Sequence, residues 1–554
     1  MKKTKKLIVA LGISASAFLS FGFADNYFEL SKNLDIFSTL LKELNTYYVD
    51  DTKPGELMKT GIDAMLLSLD PYTNYIPESA IEDYRFMTTG QYGGIGALIH
   101  KDSNNIVISE PYEGFPAFKA GLKAGDVLLK VDENIVEGKT SSEISDLLKG
   151  QAGTPLRVTI MRPQIKEPLM REIIRENIKI KDVPYYKMLD STLGYIKLTG
   201  FTQTASKEFI AAFTELKEEG MQELIFDLRG NGGGLLIEAV DIVNAFIPKN
   251  KKVVETRGKL KKWDAVYTTR KEPVDTEIPI ALLVDGGSAS ASEIVSGTLQ
   301  DYDRAVVVGK QTFGKGLVQQ TRPLSYNAQL KVTVAKYYIP SGRCIQRLDY
   351  SNKDDRGKAQ VVPDSLIGSF KTLINNRPVQ DGKGINPDIF TEDENMGMIT
   401  VTLMRRLHIF NYATKYYLSH PTIATPKKFE LNDTEYSAFI DFLKNKEYTY
   451  STQSETILKE LKKVAENEKY FTDAEKEYAA LLKKLTPDNK SDLLKFKTEI
   501  KLILENEIIS RYYYQNGRIE QSLNTDPDVR QAIELLKNKK KYNEILIGTF
   551  VSNK

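Results

Sequence analysis

The sequence predicts a multidomain α/β protein, and three observations carry this. The chain has 554 residues, whereas single hydrophobic cores stop growing at roughly 250–300 residues. Strand-like apolar runs alternate with amphipathic helical stretches over residues 186–345, which predicts an α/β layer. Glycine punctuates the chain before residue 390 and is scarce after it, where Lys, Glu, Leu and Tyr predict a helical module.

At the N-terminus, Lys2, Lys3, Lys5 and Lys6 precede an uncharged apolar or small run from Leu7 to Ala24, with Gly22 and Ala24 at the −3 and −1 positions of a cleavage site. Residues 1–24 therefore read as an export signal peptide and place the protein in the periplasm or cell envelope. The alternative is an uncleaved anchor giving membrane association, since a run of this length just spans a bilayer. Ser14, Ser16 and Ser20 weaken it as an anchor.

Residues 25–88 read as helical, with Leu34, Ile36, Phe37, Leu40, Leu41 and Leu44 at helical spacing until the turn at Asp70-Pro71-Tyr72-Thr73-Asn74. Residues 89–165 predict a small β-rich domain. Its strands fall at 105–108, 125–131 and 156–160, with a short helix at 117–122 and another at 141–148 capped by Ser141. In the α/β layer, strands fall at 195–198, 224–228, 280–284 and 305–308. Helices fall at 205–219, closed by Gly220, and at 235–246 and 290–300. Residues 391–554 show no internal repeat.

Charge and rare residues exclude several functions. Net charge is +2; without the four N-terminal lysines, 72 basic side chains face 74 acidic ones. That body gives no electrostatic case for nucleic acid. A single cysteine, Cys344, excludes an intramolecular disulfide and a multi-cysteine metal site, and its strand-like setting reads as inert packing. The run Gly309 to Lys315 resembles a phosphate-binding loop, but Gly316 stands where Ser or Thr would hold magnesium.

The serines of Asp285-Gly286-Gly287-Ser288-Ala289-Ser290-Ala291-Ser292-Glu293 sit where a buried strand meets a helix. A serine there can cap the helix, or can attack a carbonyl beside free N–H groups. A serine nucleophile needs a base. No histidine lies between His100 and His408, and the Gly-x-Ser-x-Gly elbow is absent. If Ser288, Ser290 or Ser292 attacks, the base is then a lysine with its pKa lowered by burial, and Lys315, between Gly314 and Gly316, suits that part. Asp227-Leu228-Arg229-Gly230-Asn231-Gly232-Gly233-Gly234-Leu235 offers either a tight turn or a concave array of N–H groups for an anion.

Taken in order, these strings resemble the C-terminal processing peptidases, or tail-specific proteases. The others that match are Asp70-Pro71-Tyr72-Thr73, Tyr92-Gly93-Gly94-Ile95-Gly96, Gly121 to Asp126, Thr312-Phe313-Gly314-Lys315-Gly316, Tyr338 to Arg343 and Gly384-Ile385-Asn386-Pro387-Asp388. They cover about residues 30–390. The resemblance implies a crotonase/ClpP-like α/β protease core over 166–390 and a PDZ domain over 89–165. It implies Ser290 as nucleophile, Lys315 as general base, and Gln319 as the residue orienting that lysine. The N–H of Ala291 and one from Gly233 or Gly234 would form the oxyanion hole. Tyr92, Gly93, Gly94, Ile95 and Gly96 would form the loop that binds the C-terminal carboxylate of a tail. Peptide or protein substrates with apolar C-termini are implied as partners, without a cofactor or metal. Residues 347–383 interrupt the family pattern as an extra loop. Residues 391–554 lie outside the resemblance, and dimerisation or substrate docking are the roles considered for them.

The expected reaction is peptide hydrolysis through an acyl-enzyme, rising in rate as pH passes the lowered lysine pKa. An exported non-catalytic PDZ adaptor on a protease-like scaffold is the alternative, opposed by intact Ser290, Lys315 and Gln319. An enzyme binding an acyl thioester on a related fold is a further rival, disfavoured by the PDZ-like unit and the signal segment.

Overall fold

The computed structural model describes residues 27–392 and 395–550, so the expected signal segment lies outside the described residues. Two compact units result. One ends at Glu78 and includes Gln319–Thr333 and Asp355–Gly357; the other holds Ser79–Val318, Val334–Asp354 and Lys358 onward.

In the smaller unit, helices cover 27–47 and Pro54–Leu67. Asp70 then folds the chain over by accepting the N–H groups of Tyr72 and Thr73, both at 2.8 Å, an Asx turn of the kind the Asp-Pro pair favours. The next strand, Asn74–Ile76, pairs antiparallel with residues 329–331. Leu34, Ile36, Phe37, Leu40 and Leu44 stay exposed along the first helix.

The larger unit is built around a six-stranded sheet. Its order is Tyr185–Met188, Leu193–Lys197, Glu223–Asp227, Ile280–Val284, Val306–Gly309 and Ile389–Phe390. All but the first pairing are parallel. A parallel sheet must be covered on both faces. The helices Ala205–Glu218, Leu236–Val243 and Ala291–Asp301 cover one, with Phe209, Phe213, Phe226, Val240 and Val295 fully or almost fully buried. The other face is covered by Pro527–Lys537 and Lys539–Leu546, whose Val529, Ala532, Leu535 and Tyr542 sit on Tyr195, Ile225, Leu283 and Val308. Tyr542 fixes this layer by meeting both the N–H and the carbonyl of Ile280, at 2.9 and 3.2 Å. These two helices, far along the chain from the strands they cover, thus complete the packing of the core sheet.

The β-rich domain is a sheet in the order Ala97–Asp102, Asn105–Pro111, Val127–Val131, Pro155–Met161 and Leu169–Ile174, closed by the helix Ser141–Leu148. Ser141 is the first residue of this helix, not its cap. Thr140 caps it, accepting the Glu143 N–H while Glu143 accepts the Thr140 N–H, a reciprocal box. Cys344 lies in a loop and not in a strand, half-buried, with its carbonyl accepting the Gly382 N–H. The extra loop 347–383 folds into two short antiparallel ribbons, Leu348–Lys353 with Ala359–Val361 and Ser369–Lys371 with Pro378–Gln380.

Met398–Arg405, His408–Ser419, Asp433–Leu443 and Lys497–Ser522 form the main helical cluster. The last of these breaks at Tyr514, whose φ of 53° is not helical. Among the described residues, no helix is long and apolar enough to cross a membrane.

Candidate active site

Ser290 sits at the junction the sequence singles out, immediately before the helix Ala291–Asp301. Its φ of 57° and ψ of −111° are rare for a residue with a side chain, and such strain concentrates where function imposes it. Glu293, three residues on, is wholly buried. Its Oε2 accepts the N–H of Ser290 at 2.8 Å and the N–H of Lys315 at 2.9 Å. Its Oε1 accepts the Thr312 hydroxyl at 2.6 Å and the Gly314 N–H at 2.7 Å. Burial pushes the Glu293 carboxyl up, against the pull of these four donors. One carboxylate therefore joins the candidate nucleophile loop to the candidate base loop.

Tyr337 joins them a second time. Its hydroxyl lies 3.1 Å from the carbonyl oxygen of Ser290 and 2.7 Å from that of Lys315. Residues 384–388 brace the lysine loop from behind. The Thr312 hydroxyl accepts the Ile385 N–H at 2.7 Å, and Thr312 donates its own N–H to the Ile385 carbonyl. Buried Arg343 pairs with Asp301 at 2.8 Å, so the Ser-Gly-Arg motif anchors the far end of the helix that begins just after Ser290.

The glycine run meets the serine loop directly. The Asn231 carbonyl accepts the Ala289 N–H at 3.0 Å and the Ser292 hydroxyl at 2.8 Å. A Cβ on Gly233 would stand 2.8 Å from Ser290 Cβ and 2.9 Å from the Ala291 nitrogen, so only glycine permits this approach. Gly233 donates its N–H to Asn231 Oδ1 at 2.9 Å. Gly234 lies instead against the Phe201 backbone. Ala291 opens its helix, where N–H groups lack intrahelical partners. Gln319 lies in the strand Leu317–Pro323 and donates to Thr333 Oγ1 at 3.2 Å.

Tyr92, Gly93 and Gly94 lie in the strand Gln91–Gly94, paired antiparallel with Glu176–Lys179. Ile95 is buried in the β-rich core, and its carbonyl accepts the Ala117 N–H at 2.7 Å. Gly96, at φ +71°, turns the chain into Ala97–Asp102. That strand ends the sheet order and pairs only with Asn105–Pro111 among the described residues, leaving one edge for an added strand.

Three family models match successive parts of the chain. Residues 192–352 match the model of "Peptidase family S41", 93–169 that of a PDZ domain, and 399–536 that of "Probable PDZ-protease, C-terminal helical domain". The carboxy-terminal-processing protease of Bartonella bacilliformis is 37% identical over 346 residues, 62% of this chain and 79% of that one. The chain belongs to peptidase family S41. Within it, this S41 peptidase groups with the carboxy-terminal-processing serine proteases that carry a PDZ domain. A Probable CtpA-like serine protease of Staphylococcus aureus is 36% identical over 317 residues, 56% of this chain and 62% of that one. The solved photosystem II D1 C-terminal processing protease shares 27% identity over 65% of this chain and 87% of its own, with a TM-score of 0.35.

Sequence reasoning gave no role to Glu293 or Tyr337 in this S41 site. Glu293 had a signal, because Ser290-x-x-Glu293 has the form of a capping box. Tyr337 had none, being 47 positions from Ser290.

Proposed function

We propose that this S41 peptidase hydrolyses peptide bonds with Ser290 as nucleophile and Lys315 as general base. The observation that carries the reading is Glu293, whose carboxylate holds the backbone N–H groups of both residues across 25 positions of sequence. Neutral Lys315 takes the Ser290 hydroxyl proton as Oγ bonds to the substrate carbonyl carbon. The Ala291 N–H and the loop at Gly233 and Gly234 stabilise the oxyanion. The carbon–nitrogen bond then breaks, Lys315 returns the proton to the leaving amine, and water releases the acyl group by the reverse sequence. Gln319 is assigned the orienting of Lys315. A serine-reactive phosphonate tests the assignment. The expected adduct lies on Ser290 in the wild type and is at least tenfold slower in Lys315→Ala, in line with the ~10²–10⁴-fold usual for a positioned base. An adduct elsewhere, or unchanged labelling, contradicts it.

Tail recognition is assigned to the PDZ domain, with an apolar C-terminus added along Ala97–Asp102 and its carboxylate received by Tyr92 to Gly96. The division into 1–24, 25–88, 89–165, 166–390 and 391–554, export to the periplasm or cell envelope, and self-association belong to the same reading. The exposed apolar residues of helix 27–47 support self-association.

A further inference from the structure

A buried charge network beside the glycine run has no part in the proposed chemistry. Asp227 ends the strand Glu223–Asp227 and is wholly buried. Its Oδ2 accepts the Tyr195 hydroxyl at 2.6 Å, Lys197 Nζ at 3.2 Å and Arg229 Nη2 at 2.8 Å. Its Oδ1 accepts the Arg229 N–H at 2.9 Å and Nε at 3.0 Å. Arg229 thus grips Asp227 with a two-pronged fork. Its remaining nitrogen, Nη1, donates to Asp526 Oδ1 and Asp528 Oδ2, both at 2.9 Å and nearly 300 positions away. Asp526 also caps the helix Pro527–Lys537, accepting the N–H groups of Asp528 and Val529 at 2.9 and 3.1 Å.

Stability alone does not explain this wiring. The helix is already seated on the sheet by Val529, Ala532, Leu535 and Leu536, and buried ion pairs add little net stability over apolar contacts. What the network fixes is the direction of Arg229. The next residue, Gly230, donates its N–H to Asp285 Oδ1 at 2.9 Å. The one after it, Asn231, holds Ala289 and Ser292, and Gly233 lies against Ser290.

We propose that Asp526 and Asp528, through Arg229, hold the glycine loop Gly230–Gly234 against Ser290, making the C-terminal helix a positioning element for hydrolysis. The proposal rests on the Ser290–Lys315 reading. Arg229 does not touch substrate; it acts through the adjoining glycine loop.

The test uses the full chain and a peptide substrate with an apolar tail, measuring kcat and KM separately. Asp528→Asn leaves the Asp526 cap in place, and Arg229→Lys keeps the charge but loses the fork. In both, kcat should fall roughly tenfold or more while KM stays within about twofold, because misplacement by a fraction of an ångström acts on the transition state. Arg229→Ala should regain activity on adding millimolar methylguanidinium, which a purely structural role would not produce. Tail-peptide binding, measured in a Ser290→Ala background, should be unchanged. Unaltered kcat in both Asp528→Asn and Arg229→Lys would overturn the proposal. So would losses that track the unfolded fraction and that methylguanidinium does not relieve. Lys315→Ala, run alongside, separates the two readings. Full activity there removes the Ser–Lys assignment itself, whereas its loss beside fully active clamp variants removes the clamp alone.

Discussion

At the scale of single residues, the site depends on how the Ser290 and Lys315 loops are tied together, and Glu293 is the tie. Removing its carboxylate would leave the N–H groups of Ser290, Gly314 and Lys315 and the Thr312 hydroxyl without their acceptor. Glu293→Leu is expected to cost about 3 kcal/mol, the size seen when a buried polar partner is lost, read as a lower denaturation midpoint. Glu293→Gln retains the shape and should fold, but with lower kcat, because the amide nitrogen cannot accept the two donors held by the oxygen it replaces. Much of this site was legible in the string. The serine junction, the lysine between glycines and the absence of a central histidine are local patterns. The Tyr337 bridge and the Arg229 link to Asp526 and Asp528 were not, since no spacing rule relates residues brought together only by the folded chain.

At the scale of elements, the helices Pro527–Lys537 and Lys539–Leu546 supply the second cover of the core sheet. Leu535 is fully buried there. Leu535→Ala should destabilise the chain by about 3 kcal/mol, within the usual large-to-small range, measured by denaturant unfolding. Strand–helix alternation announced the sheet and the helices directly after its strands. It could not announce the other cover, which arrives from the far end of the chain and whose apolar faces read only as ordinary amphipathic helix. The PDZ domain shows a similar division. Its strands and glycine turns were readable, but its contacts with the helical module were not. His100 stands edge-on to Phe410 at 4.8 Å, Lys123 lies over the Tyr417 ring, and Glu110 pairs with Arg518.

That contact gives a pH dependence at the scale of the whole molecule. Burial pushes the His100 imidazole below its ordinary value, and Arg511 adds to this, while Asp102 and Glu507 oppose it. A histidine with a lowered folded pKa favours the neutral form. Its contribution is therefore present above the unfolded value of about 6.5 and is lost as pH falls through the folded value. The protection factors of the His408–Ser419 amides, which take out the intrinsic pH dependence of exchange, should fall on acidification below the unfolded histidine value of about 6.5, and His100→Gln should remove that pH dependence. Equal pH dependence in the variant would show that His100 is not the group responsible.

The central claim is that one Ser–Lys pair, presented by the S41 core, carries out the hydrolysis. It is tested most directly by monitoring the degradation of an unfolded protein with an apolar C-terminus. Residues 25–554 would be compared as wild type, Ser290→Ala and Lys315→Ala, each confirmed folded by circular dichroism. The account predicts cleavage by the wild type and none above background in either variant. Cleavage by folded Lys315→Ala at a rate near that of the wild type would contradict it.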